Sequence, residues 1–362
     1  MSGIVLISDL HFANHTAFGH IDPKAEFVGC NSRFHEIAKV YRAAVDYAEE
    51  NDCESIFILG DIFHDRGQID IPVYNAVYQL FKETAGKGIR LVVFPGNHDC
   101  LDLRAMHVDK HLHSLFAFEK LAFIFEKPSI VQTAYFPIAV VPYSNSGREI
   151  ITATNTLADK MTGDIKTIMF HHSFNEAITG PAEWVMGHAL DAKDLSEKFT
   201  HKFSGHYHLH QKVTGNLWYV GTPIQHNFGE RKYNEGFIHL LPDGSWRHIE
   251  NIVSPRFQVI TTSDPKDLEN LSVTDYISVK WEGSIGDIDK LKDTVPENCV
   301  IEYSSSGKGT TFLTRTSIKT TDAVEDMIET YAKNKYPVSG MPGMVEDENN
   351  IIEHGKNLYK GK

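Results

Sequence analysis

Ile89-Arg90-Leu91-Val92-Val93-Phe94-Pro95-Gly96-Asn97-His98-Asp99 is the stretch that decides the fold. Its first half is apolar and β-branched, the pattern of a buried strand. Pro95 and Gly96 then stop the strand and turn the backbone sharply. The turn sets down an amide, an imidazole and a carboxylate. These suit a neutral metal ligand, a proton donor and an orienting partner. In an open α/β sheet, the ends of buried strands are where chemistry is presented.

The same arrangement recurs on both sides. Ile4 to Ile7 reads as a strand ending in Ser8-Asp9-Leu10-His11, and Ser55 to Leu59 runs into Gly60-Asp61-Ile62-Phe63-His64. Between them, Phe34, Ile37, Ala38, Tyr41, Ala44, Val45 and Ala48 keep helical spacing behind a cap at Asn31-Ser32. Val73, Val77, Leu80, Phe81 and Thr84 mark a second helix. Downstream, Lys166 to Phe170 delivers His171-His172, and Phe203-Ser204-Gly205 delivers His206-Tyr207-His208. Leu121 to Phe125, Ser129 to Thr133 and Ile138 to Val141 are short runs broken by prolines, which predicts a second sheet with hairpin connections. A helix is expected over Glu149 to Lys160. The fold class predicted is α/β: a two-sheet sandwich flanked by helices, over residues 1–250.

After Asn251 histidine becomes sparse and the pattern changes. Strand-like runs at Phe257 to Thr261, Tyr276 to Trp281 and Cys299 to Tyr303, with helix-like runs at Pro265 to Leu271 and Ile285 to Leu291, predict a small α+β domain at 255–320. Residues 321–362 are expected to hold an amphipathic helix, Ala323 to Lys333, and a flexible tail.

The chain has 362 residues, with a formal net charge of −13, 41% hydrophobic and 23% charged residues. That is a globular composition of about two domains, without a uniformly basic nucleic-acid coat. Four scattered cysteines without C-x-x-C spacing read as reduced thiols in a cytoplasmic protein. Met1-Ser2-Gly3 lacks the basic region of a signal peptide, and no apolar run approaches a membrane span, so no membrane partner is expected. Lys24, Arg33, Arg66, Arg104, Arg231 and Lys232 read as solvated and define no DNA groove. His107, His111 and His113 read as a polar helix face covering the site rather than as a metal tract.

Asp9, His11, Asp61, Asn97, His171, His206 and His208 remain, each near the end of an expected strand. His172 competes with His171 for one position, and His171 is chosen because it directly follows the apolar run. Seven oxygen and nitrogen donors with no thiolate exceed the needs of one tetrahedral zinc. They fit two adjacent borderline-hard ions, with one carboxylate, Asp61, bridging. Such a pair stabilises the attacking and leaving oxygens of a displacement at phosphorus. His98 is expected as the acid that protonates the departing alkoxide, with Asp99 orienting it.

Asp9-x-His11, Gly60-Asp61, Gly96-Asn97-His98-Asp99, His171 and Gly205-His206-x-His208 together resemble the five motifs of the calcineurin-like metallophosphoesterases. The resemblance implies that Asp9, His11, Asp61 and His208 hold one metal, and Asp61, Asn97, His171 and His206 the other. Gly60-Asp61-Ile62-Phe63-His64, Tyr219-Val220-Gly221-Thr222-Pro223 and the small following domain are similar to the SbcD-type DNA repair nucleases, and the compact size to a phage recombination endonuclease subunit. Two features depart from that family: Gly67-Gln68-Ile69 stands where Pro-Ser is frequent, and the loop at 13–32 is long. The narrower resemblance implies an exonuclease and endonuclease that hydrolyses DNA ends in recombination and double-strand-break repair. It implies two Mn²⁺ ions, with Fe²⁺, Mg²⁺ or Zn²⁺ as alternatives, and a role for His64 in placing the DNA phosphate. It also implies a homodimer, a cap domain that helps bind DNA, a C-terminal region that docks on an SbcC-like SMC-type ATPase, and host cytoplasm as the location of a phage-encoded form. The competing expectation is a metallophosphoesterase for small phosphodiesters or phosphoproteins.

Overall fold

The structure, a computed structural model, describes residues 2–101, 112–178 and 189–304. The elements are β1 (Gly3–Ile7), α1 (Ser32–Glu50), β2 (Cys53–Ile58), α2 (Ile71–Gly86), β3 (Arg90–Val93), β4 (Phe123–Ile124), β5 (Ser129–Gln132), β6 (Pro137–Val141), α3 (Gly147–Lys160), β7 (Thr167–His171), β8 (His201–Gly205), β9 (Gln211–Thr214), β10 (Leu217–Tyr219), β11 (Gly236–Leu240), β12 (Trp246–Glu250), β13 (Phe257–Thr262), β14 (Tyr276–Trp281), α4 (Ile288–Lys292) and β15 (Cys299–Tyr303).

The larger of two units, Met1–Ile260 with Asn270–Ser278 and Val295–Val300, holds two mixed six-stranded sheets. The first runs β12-β11-β1-β2-β3-β4, and the second β5-β6-β7-β8-β10-β9. In the first, β1 to β4 are parallel, and β11 and β12 close one edge antiparallel. In the second, β6, β7, β8 and β10 are parallel, with antiparallel β5 and β9 on the edges.

Period-two alternation divides the core. Ile4 and Leu6 of β1 turn one way, with Phe57, Val92, Val140, Met169 and Phe203, and fill the space between the sheets. Val5 and Ile7 turn the other way, onto the apolar faces of α1 and α2. Ala139, Val141, Ile168 and Phe170 pack against Ile150, Leu157 and Ala158 of α3 on the outside of the second sheet. The architecture is therefore helices, sheet, sheet, helix. The Asn31 side chain accepts the Phe34 N–H and caps α1, so that helix starts where the capping residue placed it.

Two expectations need correction. Leu121 to Phe125 does not join the second sheet: β4 pairs in parallel with β3 and extends the first. Only the β5–β6 segment forms the expected hairpin-type pair. Arg33 is not solvated. It is fully buried, with its guanidinium 4.8 Å from the Tyr276 ring centroid and 5.1 Å from that of Phe257.

The smaller unit comprises Thr261–Glu269, Val279–Thr294 and, of the described residues, 301–304. In it Trp281 is buried, with its indole N–H donating to Ser284 O at 3.0 Å. The segments at 265–271 and 285–291 become a short 3-10 turn at Pro265–Leu268, another at Ile285–Asp287, and α4. β13, β14 and β15 form a three-stranded sheet with β14 in the middle. The expected helix Ala323 to Lys333 and the tail lie outside the described residues. Among the described residues, no helix is long and apolar enough to cross a membrane.

Candidate metal centre

Parallel strands β1, β2, β3, β7 and β8 put their carboxyl ends on one side, and the loops leaving them meet there. The backbone pays for this convergence in strain. Asp9, His11, Asp61 and His206 all have positive φ, at 54°, 48°, 52° and 93°. Non-glycine residues adopt that region only when surroundings over-determine it, and such residues gather at functional sites. Gly60 at φ 85° shows why a glycine precedes Asp61: a Cβ there would lie 2.6 Å from His171 Nδ1 and 2.7 Å from Gly96 Cα.

The side chains form two adjoining groups. Asp9, His11 and His208 bring donor atoms within 4.8 Å of one another, and so do Asp61, His171 and His206. His11 Nε2 lies 3.1 Å from His208 Nε2 and 3.7 Å from Asp61 Oδ2. His171 Nε2 lies 3.2 Å from the same Asp61 oxygen. That oxygen therefore stands between the groups. Asn97 Oδ1 completes the second, 3.0 Å from His171 Nε2 and 2.7 Å from His206 Nδ1. All seven sequence-selected donors are brought together.

Surrounding groups fix which nitrogen two of the rings present. His171 Nδ1 donates to Leu59 O at 2.6 Å, which leaves Nε2 facing Asp61. His208 Nδ1 is bonded to Glu230 Oε1 at 2.7 Å, which leaves Nε2 facing His11. Anchoring one imidazole nitrogen while aiming the other inward is how proteins orient metal ligands. His172, by contrast, is turned to the backbone, with ring nitrogens 3.0 Å from Ser173 O and Ser144 O.

The electrostatics also suit cations. Burial opposes charge on His171 and His208. Asp61 overcomes it at His171 and Glu230 at His208, and each is pushed up to about 9. Burial raises Asp61 too, but His171 outweighs it and holds the carboxyl well below its usual range. Burial raises the Asp9 carboxyl and lowers His11 and His206. A buried set of two aspartates, an amide oxygen and imidazoles with inward-facing nitrogens is thus drawing positive charge, and fits divalent ions.

His98 borders this set. Its N–H donates to Asp61 Oδ1 at 2.8 Å, and its ring centroid lies 4.8 Å from that of His11. His98 Nδ1 is bonded to the His64 backbone carbonyl. The exposed His64 ring stacks near His98 at 5.7 Å and lies 5.3 Å from His11. The orienting role expected of Asp99 is corrected. Asp99 accepts the Ile62 and Phe63 N–H groups on Oδ1 and the Gly96 N–H on Oδ2, so it ties the β2 and β3 turns together. His98 is held through the main chain instead.

Sequence reading missed several residues. Glu230 is buried at the end of a short turn, Phe228–Glu230, and also accepts the His226 N–H at 2.7 Å. Nothing in a lone glutamate after Asn227-Phe228-Gly229 singles it out. Thr222 of the Gly-Thr-Pro turn donates its hydroxyl to Asp9 O at 3.1 Å, which buttresses a donor-bearing loop. His15 from the long loop is bonded to His11 O at 2.9 Å. Tyr143 stands beside His171 and His206. Of the histidine tract, His113 is described. It is buried and paired with Glu126 at 2.8 Å rather than lying on a polar helix face.

A family model described as calcineurin-like phosphoesterase matches residues 3–210. Two curated proteins are similar over about half the chain. One carries the name "Putative phosphoesterase 244L", from Invertebrate iridescent virus 6, and is 27% identical over 195 residues, covering 53% of this chain and 65% of that protein. The other is exonuclease subunit 1 of Enterobacteria phage T4, 22% identical over 206 residues, covering 54% and 55%. The chain therefore spans less than two thirds of either relative. A solved structure of a dimetal phosphatase from Danio rerio aligns with TM-score 0.35 and 11% identity, covering 60% of this chain and 87% of that one.

Proposed function

The chain belongs to the calcineurin-like phosphoesterase family, and from that premise we propose that it is a metal-dependent phosphodiesterase whose substrate is DNA. The observation that carries the reading is the pair of adjoining donor groups sharing Asp61. Asp9, His11, Asp61 and His208 would hold one ion, and Asp61, Asn97, His171 and His206 the other. When bound, such a pair polarises a phosphate and supplies a nucleophile from water near neutral pH. Mn²⁺ is the proposed metal.

The chain's own groups do the rest. His98 is fixed at Nδ1 by the His64 carbonyl, so Nε2 is the atom that carries a proton to the departing alkoxide. Asp61 holds the His98 main chain at 2.8 Å, so the acid and the shared carboxylate are positioned as one piece. His64, exposed beside His98 and His11, is placed to meet a phosphate. Similarity to the phage exonuclease subunit supports DNA over small diesters or phosphoproteins. A second copy of the chain and an SbcC-like SMC-type ATPase are the proposed partners.

The test is cleavage of labelled linear duplex DNA with Mn²⁺, comparing the native protein with His98→Ala, with and without chelator. Metal-dependent cleavage that the variant loses while still binding metal supports the reading. Hydrolysis of bis(p-nitrophenyl) phosphate without DNA cleavage, with or without an ATPase partner, would transfer the site to small phosphodiesters.

A further inference from the structure

We propose that Tyr143 is a substrate-positioning residue, its phenol O–H donating a hydrogen bond to a non-bridging oxygen of the phosphate seated against Asn97, His171 and His206. This rests on the phosphodiesterase reading above.

Tyr143 follows β6 and is fixed at both ends. Its backbone N–H donates to Pro95 O at 3.1 Å, which ties it to the turn that carries Asn97 and His98. Its ring stacks on His172 at 5.5 Å and 16°, and His172 is itself held by the carbonyls of Ser144 and Ser173. That gives a use to the histidine that does not face the donor groups: it is the base on which Tyr143 rests. The ring centroid is then 5.8 Å from His206 and 6.2 Å from His171.

The hydroxyl is left over. Tyr143 is half-buried, and its hydroxyl forms no hydrogen bond among the described residues. The phenols of Tyr41, Tyr47, Tyr74, Tyr219 and Tyr276 have partners, while those of the half-buried Tyr78, Tyr135 and Tyr233 have none among the described residues. Of these open phenols, Tyr143 is the one whose ring stands against His171 and His206, so its free donor is placed for a ligand at that centre. A phenol adds a donor there without adding a cation next to the ion sites.

The experiment compares the full chain with Tyr143→Phe and Tyr143→Ala. Steady-state kinetics are measured on duplex DNA and bis(p-nitrophenyl) phosphate, and inorganic phosphate binding is measured by calorimetry with Mn²⁺ present. Loss of one hydrogen bond to a charged oxygen predicts about tenfold weaker phosphate binding and about tenfold higher KM in Tyr143→Phe, with Mn²⁺ stoichiometry unchanged. Unchanged phosphate binding and KM in Tyr143→Phe overturns the proposal, and a loss confined to Tyr143→Ala does so too by assigning the ring to packing. If DNA is not cleaved but the small diester is, the DNA reading fails. The phosphate titration still decides the role of Tyr143.

Discussion

Glu230 Oε1 and His208 Nδ1 are 2.7 Å apart, and this contact fixes the ring nitrogen that His208 turns toward His11. The other Glu230 oxygen receives the His226 N–H at 2.7 Å, so the carboxylate is anchored while it orients the ring. Glu230→Ala should weaken metal binding at the Asp9, His11 and His208 group by roughly 10–100-fold, the usual effect of losing an outer partner of a ligand. Glu230→Gln, which keeps an acceptor, should lose less. Calorimetric titration of Mn²⁺ into metal-free protein reads both. Equal affinity in all three proteins would show that the contact has no bearing on metal binding.

Asp99 is buried and accepts three backbone N–H groups from two turns. Burial, then Asp61, pushes its carboxyl up to about 7. Asp99→Ala should cost about 2–4 kcal/mol in urea denaturation, because it leaves Gly96, Ile62 and Phe63 donors unmatched in the interior. A variant that folds as stably as the native protein but loses cleavage would instead restore the idea that Asp99 serves the His98 ring.

The parallel core of this fold was legible because it is written in local pattern. Apolar runs end in a turn and a polar cluster at Asp9, Asp61, Asn97, His171 and His206, and each proved to be the carboxyl end of a parallel strand. Edge elements were not legible. Gln211–Thr214 and Trp246–Glu250 are half-exposed strands whose composition resembles a loop until a neighbour pairs with them. β4 has two residues, and only β3 tells it which sheet to join. Glu230 and the partners of Asp99 are long-range facts, invisible without the fold.

The His210 and His248 rings stack with centroids 4.1 Å apart at 14°. Burial, then His210, lowers His248 to about 4 from an ordinary 6.5, and its Nε2 is buried with no hydrogen-bond partner among the described residues. The folded state therefore binds fewer protons than the unfolded one between those values. Its contribution to stability is complete above pH 6.5 and is lost as pH falls toward 4. His248 is only partly buried, so the swing should be about 1–2 kcal/mol. His248→Phe should flatten the denaturation profile over that window. A profile identical to the native one would mean the stack carries no such linkage.

Arg33 seats the region that carries Glu230. Its guanidinium lies over both the Phe257 and Tyr276 rings, which themselves pack 5.0 Å apart, pairs with Glu36 and donates to Gln225 O at 3.1 Å. Tyr276 also donates to Glu36. Phe257 packs against Phe228 at 4.9 Å, in the turn that ends at Glu230, and Phe18 of the long loop stacks on Tyr276 at 4.8 Å. Removing one member of a buried ion pair typically costs about 3–5 kcal/mol, because the partner is left without countercharge. Arg33→Met should destabilise by about that amount, and Arg33→Met with Glu36→Gln by less, since no unpaired charge remains. Because Phe228 and Glu230 share one short turn, Arg33→Met should also weaken Mn²⁺ binding, although Arg33 belongs to neither donor group. Arg42→Gln, on the same helix as Arg33, breaks an exposed network with Glu26 and Glu83 and should change neither. Denaturation and metal titration of the four proteins decide the point. A destabilised Arg33→Met that binds Mn²⁺ as tightly as the native protein would show that the seat and the site are mechanically independent.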